Sequence, residues 1–296
     1  MTEVRTYMQP TGVKGRKGVI SNISVLSDGR IRLDNRDGDI LVASLLFSEA
    51  EWTALRAQPA PPPTPAPDPI PIPGWKEIFR DEFVDDIPEG TFRSRRAGQW
   101  TPYGDDWPDM SHVGVRDSRC ISQSGGLLRI HHGINADGKA MAPAIMPKLS
   151  GGPFTALRWE MRIKADPLPN YYAAPLLWPD SENWPTDGEI DWPEGGYMEL
   201  AKCFMHRQDG TSGSDQDVYV SSARLQDWHT YALEWKAGKS LALFLDGTKV
   251  KEWTFRVPTT AMHPVLQTET YPGKGQPPAS QTGYLLVDYV SIGIPS

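Results

Sequence analysis

The sequence predicts an all-β protein: a jelly-roll sandwich of two curved antiparallel sheets, preceded by a small, mainly-β N-terminal module. Three observations predict it. From residue 75 onward helical periodicity almost disappears, while short runs with strand-like alternation recur at close spacing. Ahead of them "PAPPPTPAPDPIPIPG", residues 59–74, places proline at almost every second position, so the chain runs there as an extended spacer. Finally, 296 residues are enough for one large sandwich and something smaller.

The elements follow in chain order. "VISNISVLSDGRIRLDNRDGDILVASLLF" alternates apolar and polar residues around two Asp-Gly turn signals and reads as a β-meander. "SEAEWTALRA" opens with a capping box, Ser48 with Glu51, and reads as a short helix. Residues 1–58 thus form a small module with no acid pair, no Cys/His cluster and no nucleophile beside a base, which points to attachment or assembly. After the linker, "WKEIFRDEF", "LLRIHHG", "TALRWEMRIKA", "YMELAKCFMH", "HTYALEWKA", "SLALFLDGTKVKEWTF" and "GYLLVDYVSIG" each read as strands. Packed face to face, two sheets of such strands bury the apolar alternations and leave one concave face for a ligand, so 75–296 is the sandwich domain.

Composition narrows the function. A net charge of −7 without a clustered Lys/Arg surface argues against nucleic acid. The start has no apolar run to serve as a signal peptide, and no later stretch is long enough to cross a bilayer, so neither a secretion address nor membrane insertion is expected. Cys120 and Cys203 are too few for a disulfide framework and leave one optional bridge. Many of the 11 Trp lie in polar stretches such as "GQWTPYGDDWPDM" and "SENWPTDGEIDW", where flat rings suit sugar stacking or, equally, close a core. On this composition Tyr103, Trp107 and Tyr271 are candidate stacking residues.

The chemistry concentrates in "GEIDWPEGG", residues 188–196. On a regular strand Glu189 and Asp191 share a face and Glu194 points to the other. One inserted residue, a β-bulge at Pro193, returns Glu194 to the first face, and proline is tolerated there because it has no ladder donor to lose. Three other readings compete: a solvated acidic edge, a turn whose acids cap backbone, and a calcium site of hard oxygen ligands. Bulky Ile190, Trp192 and Pro193 between the acids speak against a calcium loop. Two glutamates flanking a shorter aspartate suit glycoside hydrolysis, in which one carboxylate attacks and a second exchanges a proton. Crowded like charges also resist full ionisation, so one acid keeps its proton near neutral pH.

"WPTDGEIDWPEG" resembles the active-site strand of glycoside hydrolase family 16, the laminarinase- and lichenase-like enzymes, which reads E-[ILV]-D-x-x-E in its bulged form. "IFRDEF", "TALRWEMRIKA", "APLLW", "WHTYALEWKAGKSLALFLDG" and "YLLVDYVSIG" resemble other strands of that family in order, across residues 75–296. The resemblance implies a concanavalin-like jelly roll and a retaining endo-β-glycosidase of double-displacement mechanism that requires no cofactor and no metal, with a structural calcium left open. It implies that Glu189 is the nucleophile, Glu194 the general acid/base and Asp191 the group that orients and tunes both. It further implies that Trp178 and Trp184 line the sugar cleft, that His206 contacts Asp191 or substrate, and that Arg158 reaches the cleft. A purely structural histidine and a surface ion pair are the alternatives for the last two. Trp192 and Pro193 replace the aliphatic residues common in the family, and the loops match no subfamily, which leaves β-1,3-glucan, mixed-linkage glucan and galactan open.

A polymer-cleaving enzyme carried behind a small module and a proline-rich spacer has a layout resembling that of a tailed-phage minor tail protein. The layout implies anchoring to virion tail proteins, with the enzyme tethered at high local concentration over a host cell-wall or other extracellular polysaccharide. The alternative is a non-catalytic glycan-binding module used for adsorption.

Overall fold

A computed structural model describes backbone strands at 20–25, 31–37 and 40–47, and then residues 72–206, 212 and 214–296. Two compact units divide the chain, Met1–Pro63 and Thr64–Ser296. In the first, β1 (Ile20–Val25), β2 (Ile31–Asp37) and β3 (Ile40–Phe47) form an antiparallel meander in sequence order, as the alternation and Asp-Gly signals predict. The expected helix at 48–57 and most of the proline-rich segment lie outside the described residues.

The second unit is the expected sandwich. One eight-stranded sheet contains β5 (Trp100–Pro102), β10 (Ala144–Pro147), β12 (Tyr171–Ala173), β13 (Leu176–Pro179), β14 (Glu189–Gly196), β15 (Leu200–His206), β16 (Gln216–Arg224) and β20 (Met262–Thr270). They run in the order β16-β15-β14-β12-β20-β10-β5, with β13 also between β14 and β20. The other contains β4 (Trp75–Asp81), β7 (Ile121–Ser124), β8 (Leu127–His132), β11 (Ala156–Ala165), β17 (His229–Lys236), β18 (Ser240–Leu245), β19 (Thr248–Trp253) and β21 (Gly283–Pro295). Its order is β19-β18-β17-β11-β21-β8-β7, with β4 on β21. A short parallel pair, β6 (Gly114–Val115) and β9 (Ala140–Met141), one helical turn, α1 (Phe92–Arg95), and a 3-10 turn at Ser118–Cys120 accompany the two sheets. Every run that the sequence marks as a strand in this unit forms one.

Period-two patterning drives the packing. On β11 Leu157, Trp159, Met161, Ile163 and Ala165 enter the core, and on β14 Ile190 and Trp192 meet them from the facing sheet. Trp192 is the pin between the layers. Its ring lies edge-on to Tyr231 of β17 at 5.2 Å, and its indole N–H donates to the Phe244 carbonyl of β18 at 3.4 Å. With Ile190 and Trp192 turned inward, Glu189 and Asp191 are turned to the opposite face. Cys120 and Cys203 are both buried and free.

Emptying that inter-sheet position has a defined cost. Trp192→Ala should lower unfolding free energy by about 3–5 kcal/mol in urea denaturation, and a loss under about 1 kcal/mol would contradict the packing described.

Candidate active site

Pairing of β14 with β15 sets the site. Glu189 faces His206, Asp191 faces Phe204 and Glu194 faces Lys202. Three steps along β14, from Asp191 to Glu194, thus run opposite two steps of β15, so one extra residue is inserted at Trp192–Pro193. That is the bulge the sequence predicts, and it brings all three acids to the face turned away from the core. Gly188 admits the strand: its φ is +78°, and a Cβ there would stand 2.8 Å from the His206 carbonyl and 2.8 Å from Pro258 Cγ.

His206 Nε2 lies 3.5 Å from Asp191 Oδ2 and 3.9 Å from Glu189 Oε2. Trp184 stands edge-on to His206 at 6.0 Å and lies nearly parallel to Trp178, at 15° with 6.4 Å between ring centres. Trp178 donates to Glu182 Oε2 at 2.8 Å and borders a small apolar cluster of Ala144, Leu176 and Val265. Tyr103 borders the same cluster, with the Arg116 guanidinium 5.8 Å from its ring centre. Trp184 keeps 38% of its surface exposed beside the acids, which is the disposition of a ring available to a ligand.

Burial controls the protons. Loss of solvation pushes Glu189 up to about 7, while hydrogen bonds with Trp184 and Asp191 pull it back. Glu194 is pushed up to about 8 by burial, with the charges of Glu189 and Glu269 adding to it and a hydrogen bond from Tyr172 and the charge of Lys202 opposing. Asp191 is driven well above the carboxylate range by burial and by both glutamates. Near neutral pH this arrangement holds a proton on Asp191, shared with Glu189, leaves Glu189 the first of the pair to ionise, and keeps Glu194 protonated. Glu189, Asp191 and His206 also offer three ligand atoms within 4.8 Å of one another, a set able to grip a cation. The proton held on Asp191 competes with that use.

The structure separates other expected residues. Tyr271 sits at the Glu194 end, its ring edge-on to Tyr172 at 5.3 Å and its hydroxyl donated to Glu199. Trp107 is 61% exposed on a loop tied to this face through Met110 N–H, which donates to Glu269 Oε2 at 2.9 Å. Arg158 is not brought to the acids. It projects from β11, in the other sheet, and is paired with Glu160 at 2.6 Å and Glu234 at 3.3 Å. It forms a largely buried ion pair on that strand, away from the three acids, which corrects the expectation that it reaches the cleft.

Three neighbours of the acids escaped sequence reasoning. Tyr172 donates to Glu194 Oε1 at 2.8 Å. Lys202, opposite Glu194, donates to Glu199 Oε2 at 2.9 Å. Glu269 projects from β20 opposite Tyr172, pushed up to about 7 by burial and ion-paired with Arg116, which also donates to the Thr268 carbonyl at 2.6 Å. Period two along "AKCFMH" would have found Lys202 from His206. The others come from strands distant in sequence.

A carboxyl whose pKa rises on folding contributes stability that is fully present below the ordinary carboxylate range and is lost as pH climbs through the folded value. Glu194→Gln should therefore match the parent in thermal stability near pH 4 and exceed it above about pH 8, by on the order of 1–3 kcal/mol. A difference that does not change with pH would contradict the burial-driven shift.

No protein-family model and no curated protein matches the chain. Solved structures do. An endo-1,3-β-glucanase from Streptomyces sioyaensis superposes with a TM-score of 0.63 at 20% identity, covering 76% of this chain and 98% of that one. The endo-β-1,3-glucanase of Pyrococcus furiosus gives 0.60 at 18% identity, over 78% of this chain and 100% of its own. SCLam, a non-specific endo-β-1,3(4)-glucanase of glycoside hydrolase family 16, gives 0.62 at 17% identity, over 81% and 98%. The second unit therefore has the jelly-roll fold of these glucanases.

Proposed function

We propose that the sandwich unit is a retaining endo-β-glycosidase acting on an uncharged extracellular polysaccharide. The observation that carries this reading is the convergence of Glu189, Asp191 and Glu194 on one face, with burial distributing their protons unequally. Glu189, the more readily ionised glutamate, attacks the anomeric carbon. Glu194 gives its proton to the departing glycosidic oxygen and then takes one from the water that resolves the glycosyl–enzyme ester. Asp191 keeps its proton directed at Glu189, and His206 braces Asp191. Trp184 and Trp178 supply ring faces for sugars beside Glu189, and Tyr103 extends the apolar strip.

Charge favours a neutral polymer. Glu182, Glu189, Asp191, Glu194 and Glu269 accumulate around this face, while Arg116 and Lys202 are engaged with Glu269 and Glu199. A sulfated or uronate chain would find Arg116 and Lys202 already engaged, and its charge would oppose the ionisation of Glu189 that the attack requires. The similar structures are named as 1,3- and 1,3(4)-glucanases, and another, 17% identical with a TM-score of 0.59, comes from endo-acting O-glycanases that initiate mucin breakdown. β-1,3-glucan, mixed-linkage glucan and neutral galactans are accordingly the first substrates to try.

The small β-unit and proline-rich segment support a second part of the proposal: residues 1–58 fix the enzyme to a virion tail, and residues 59–74 let it reach a host envelope. Full-length chain should then sediment with purified virions of the phage that encodes it, and a chain beginning at residue 75 should not. Equal recovery of both would remove the tether.

Reducing-end release and mass analysis over those polymers test the enzyme. The parent chain should cleave one of them with a rate maximum between about pH 7 and 8, falling on the acid side as Glu189 takes up its proton and on the alkaline side as Glu194 loses its own. Glu189→Gln should fold normally and release no product. Hydrolysis by that variant at the parent rate would refute the assigned nucleophile.

A further inference from the structure

Glu194 is enclosed by a set of side chains separate from Glu189 and Asp191. Tyr172, from β12, donates its phenolic proton to Glu194 Oε1 at 2.8 Å. The Tyr172 ring is met edge-on by Tyr271, at 5.3 Å and 85°. Tyr271 donates to Glu199 Oε1, and the other oxygen of Glu199 accepts from Lys202 at 2.9 Å. Lys202 returns to the start, because it is the cross-strand partner of Glu194, and its charge favours the glutamate's ionised form. Gly196 leaves room for this ring to close: a Cβ there would stand 2.3 Å from Tyr271 Cε2. Outside the ring the Lys274 ammonium lies 3.8 Å from the Tyr271 ring centre.

We propose that Tyr172 is the positioning residue for the acid/base: by donating to Oε1 of Glu194 it leaves Oε2 as the oxygen that gives up and takes back the transferred proton, while Tyr271, Glu199 and Lys202 hold the phenol in place. The role rests on the reading of Glu194 as the acid/base given above. A phenol suits it. Burial and the Glu194 charge keep Tyr172 protonated, so it remains a donor throughout and does not compete as an acid. A hydrogen bond to one oxygen also restricts the carboxyl's rotation, which fixes the direction from which a proton reaches a leaving group.

The titratable and charged groups facing Glu194 set the direction of the effect. Glu189 and Asp191 share its strand, with His206 of β15 beside those two, while Lys202 faces it from β15, Tyr172 from β12 and Glu269 from β20, with Arg116 on Glu269. Glu199, Tyr271 and Lys274 stand behind Tyr172 and Lys202. Glu189 and Glu269 favour the protonated carboxyl, whereas Tyr172 and Lys202 favour the carboxylate. Removing the Tyr172 hydroxyl must therefore raise the pH at which Glu194 loses its proton.

Carbon-13 NMR titration of the full chain labelled at glutamate Cδ measures this without any substrate. The Glu194 resonance is identified by its absence in Glu194→Gln. Tyr172→Phe should raise the Glu194 midpoint by about one pH unit with thermal unfolding near that of the parent. Tyr271→Phe, which loosens the ring while leaving the Tyr172 hydroxyl and the Lys202 charge in place, should raise it by less, and it decides the matter if Tyr172→Phe does not fold. Midpoints within about 0.2 unit of the parent in the folded variants would overturn the proposal. On a polysaccharide that the parent cleaves, the alkaline limb of kcat against pH should move up with the NMR midpoint. If no polymer is cleaved the glycosidase reading fails, and the titration still decides the coupling of Tyr172 to Glu194.

Discussion

A strand places side chains on one face only at even spacing, so acids at 189, 191 and 194 meet only where the ladder has gained a residue. The shift between β14 and β15 at Trp192–Pro193 supplies it, and the rest of the site depends on that step. Before the step, alternation gives Glu189 and Asp191 to the outer face and Ile190 and Trp192 to the core. After it, Glu194 rejoins the acids and stands opposite Lys202. Trp192 secures the shift from below, since its ring is held by Tyr231 and Phe244 of the facing sheet. The core of the sandwich and the geometry of the acids are therefore one construction.

That construction stores a conflict between stability and chemistry. Carboxyls placed this close, with little solvent, resist ionisation, and the fold bears the cost whenever pH rises through their shifted values. The same crowding makes the groups unequal. Tryptophan and aspartate hydrogen bonds favour charge on Glu189, while Glu194 lies against Glu189 and Glu269 and keeps its proton to higher pH. A nucleophile and an acid drawn from the same residue type need such a difference in surroundings. Tyr172 and Lys202 work against it at Glu194, which keeps that proton transferable.

Much of the sandwich was legible because burying one face of a strand imposes period two, and runs such as "TALRWEMRIKA" and "GYLLVDYVSIG" show it directly. The bulge was legible because an odd spacing of acids around a proline has a geometric remedy. Arg158 marks where legibility stops: alternation says that it points outward from its strand, yet not from which of two sheets. Tyr172 and Glu269 were silent for a related reason. They reach Glu194 through the order β14-β12-β20, which sets beside it a tyrosine 22 residues away in sequence and a glutamate from a strand much farther along the chain. No local pattern records such a pairing.

If the bulge brings two glutamates close enough for one to attack the sugar while the other exchanges the proton, the anomeric configuration is retained. Proton NMR of the anomeric signal during the first minutes of cleavage tests it most directly. Double displacement on a β-linked polymer yields β-configured reducing ends first, with the α form appearing only as mutarotation proceeds. Initial release of the α form would mean inversion by water lodged between more widely spaced carboxyls, and would rule out Glu189 as a nucleophile.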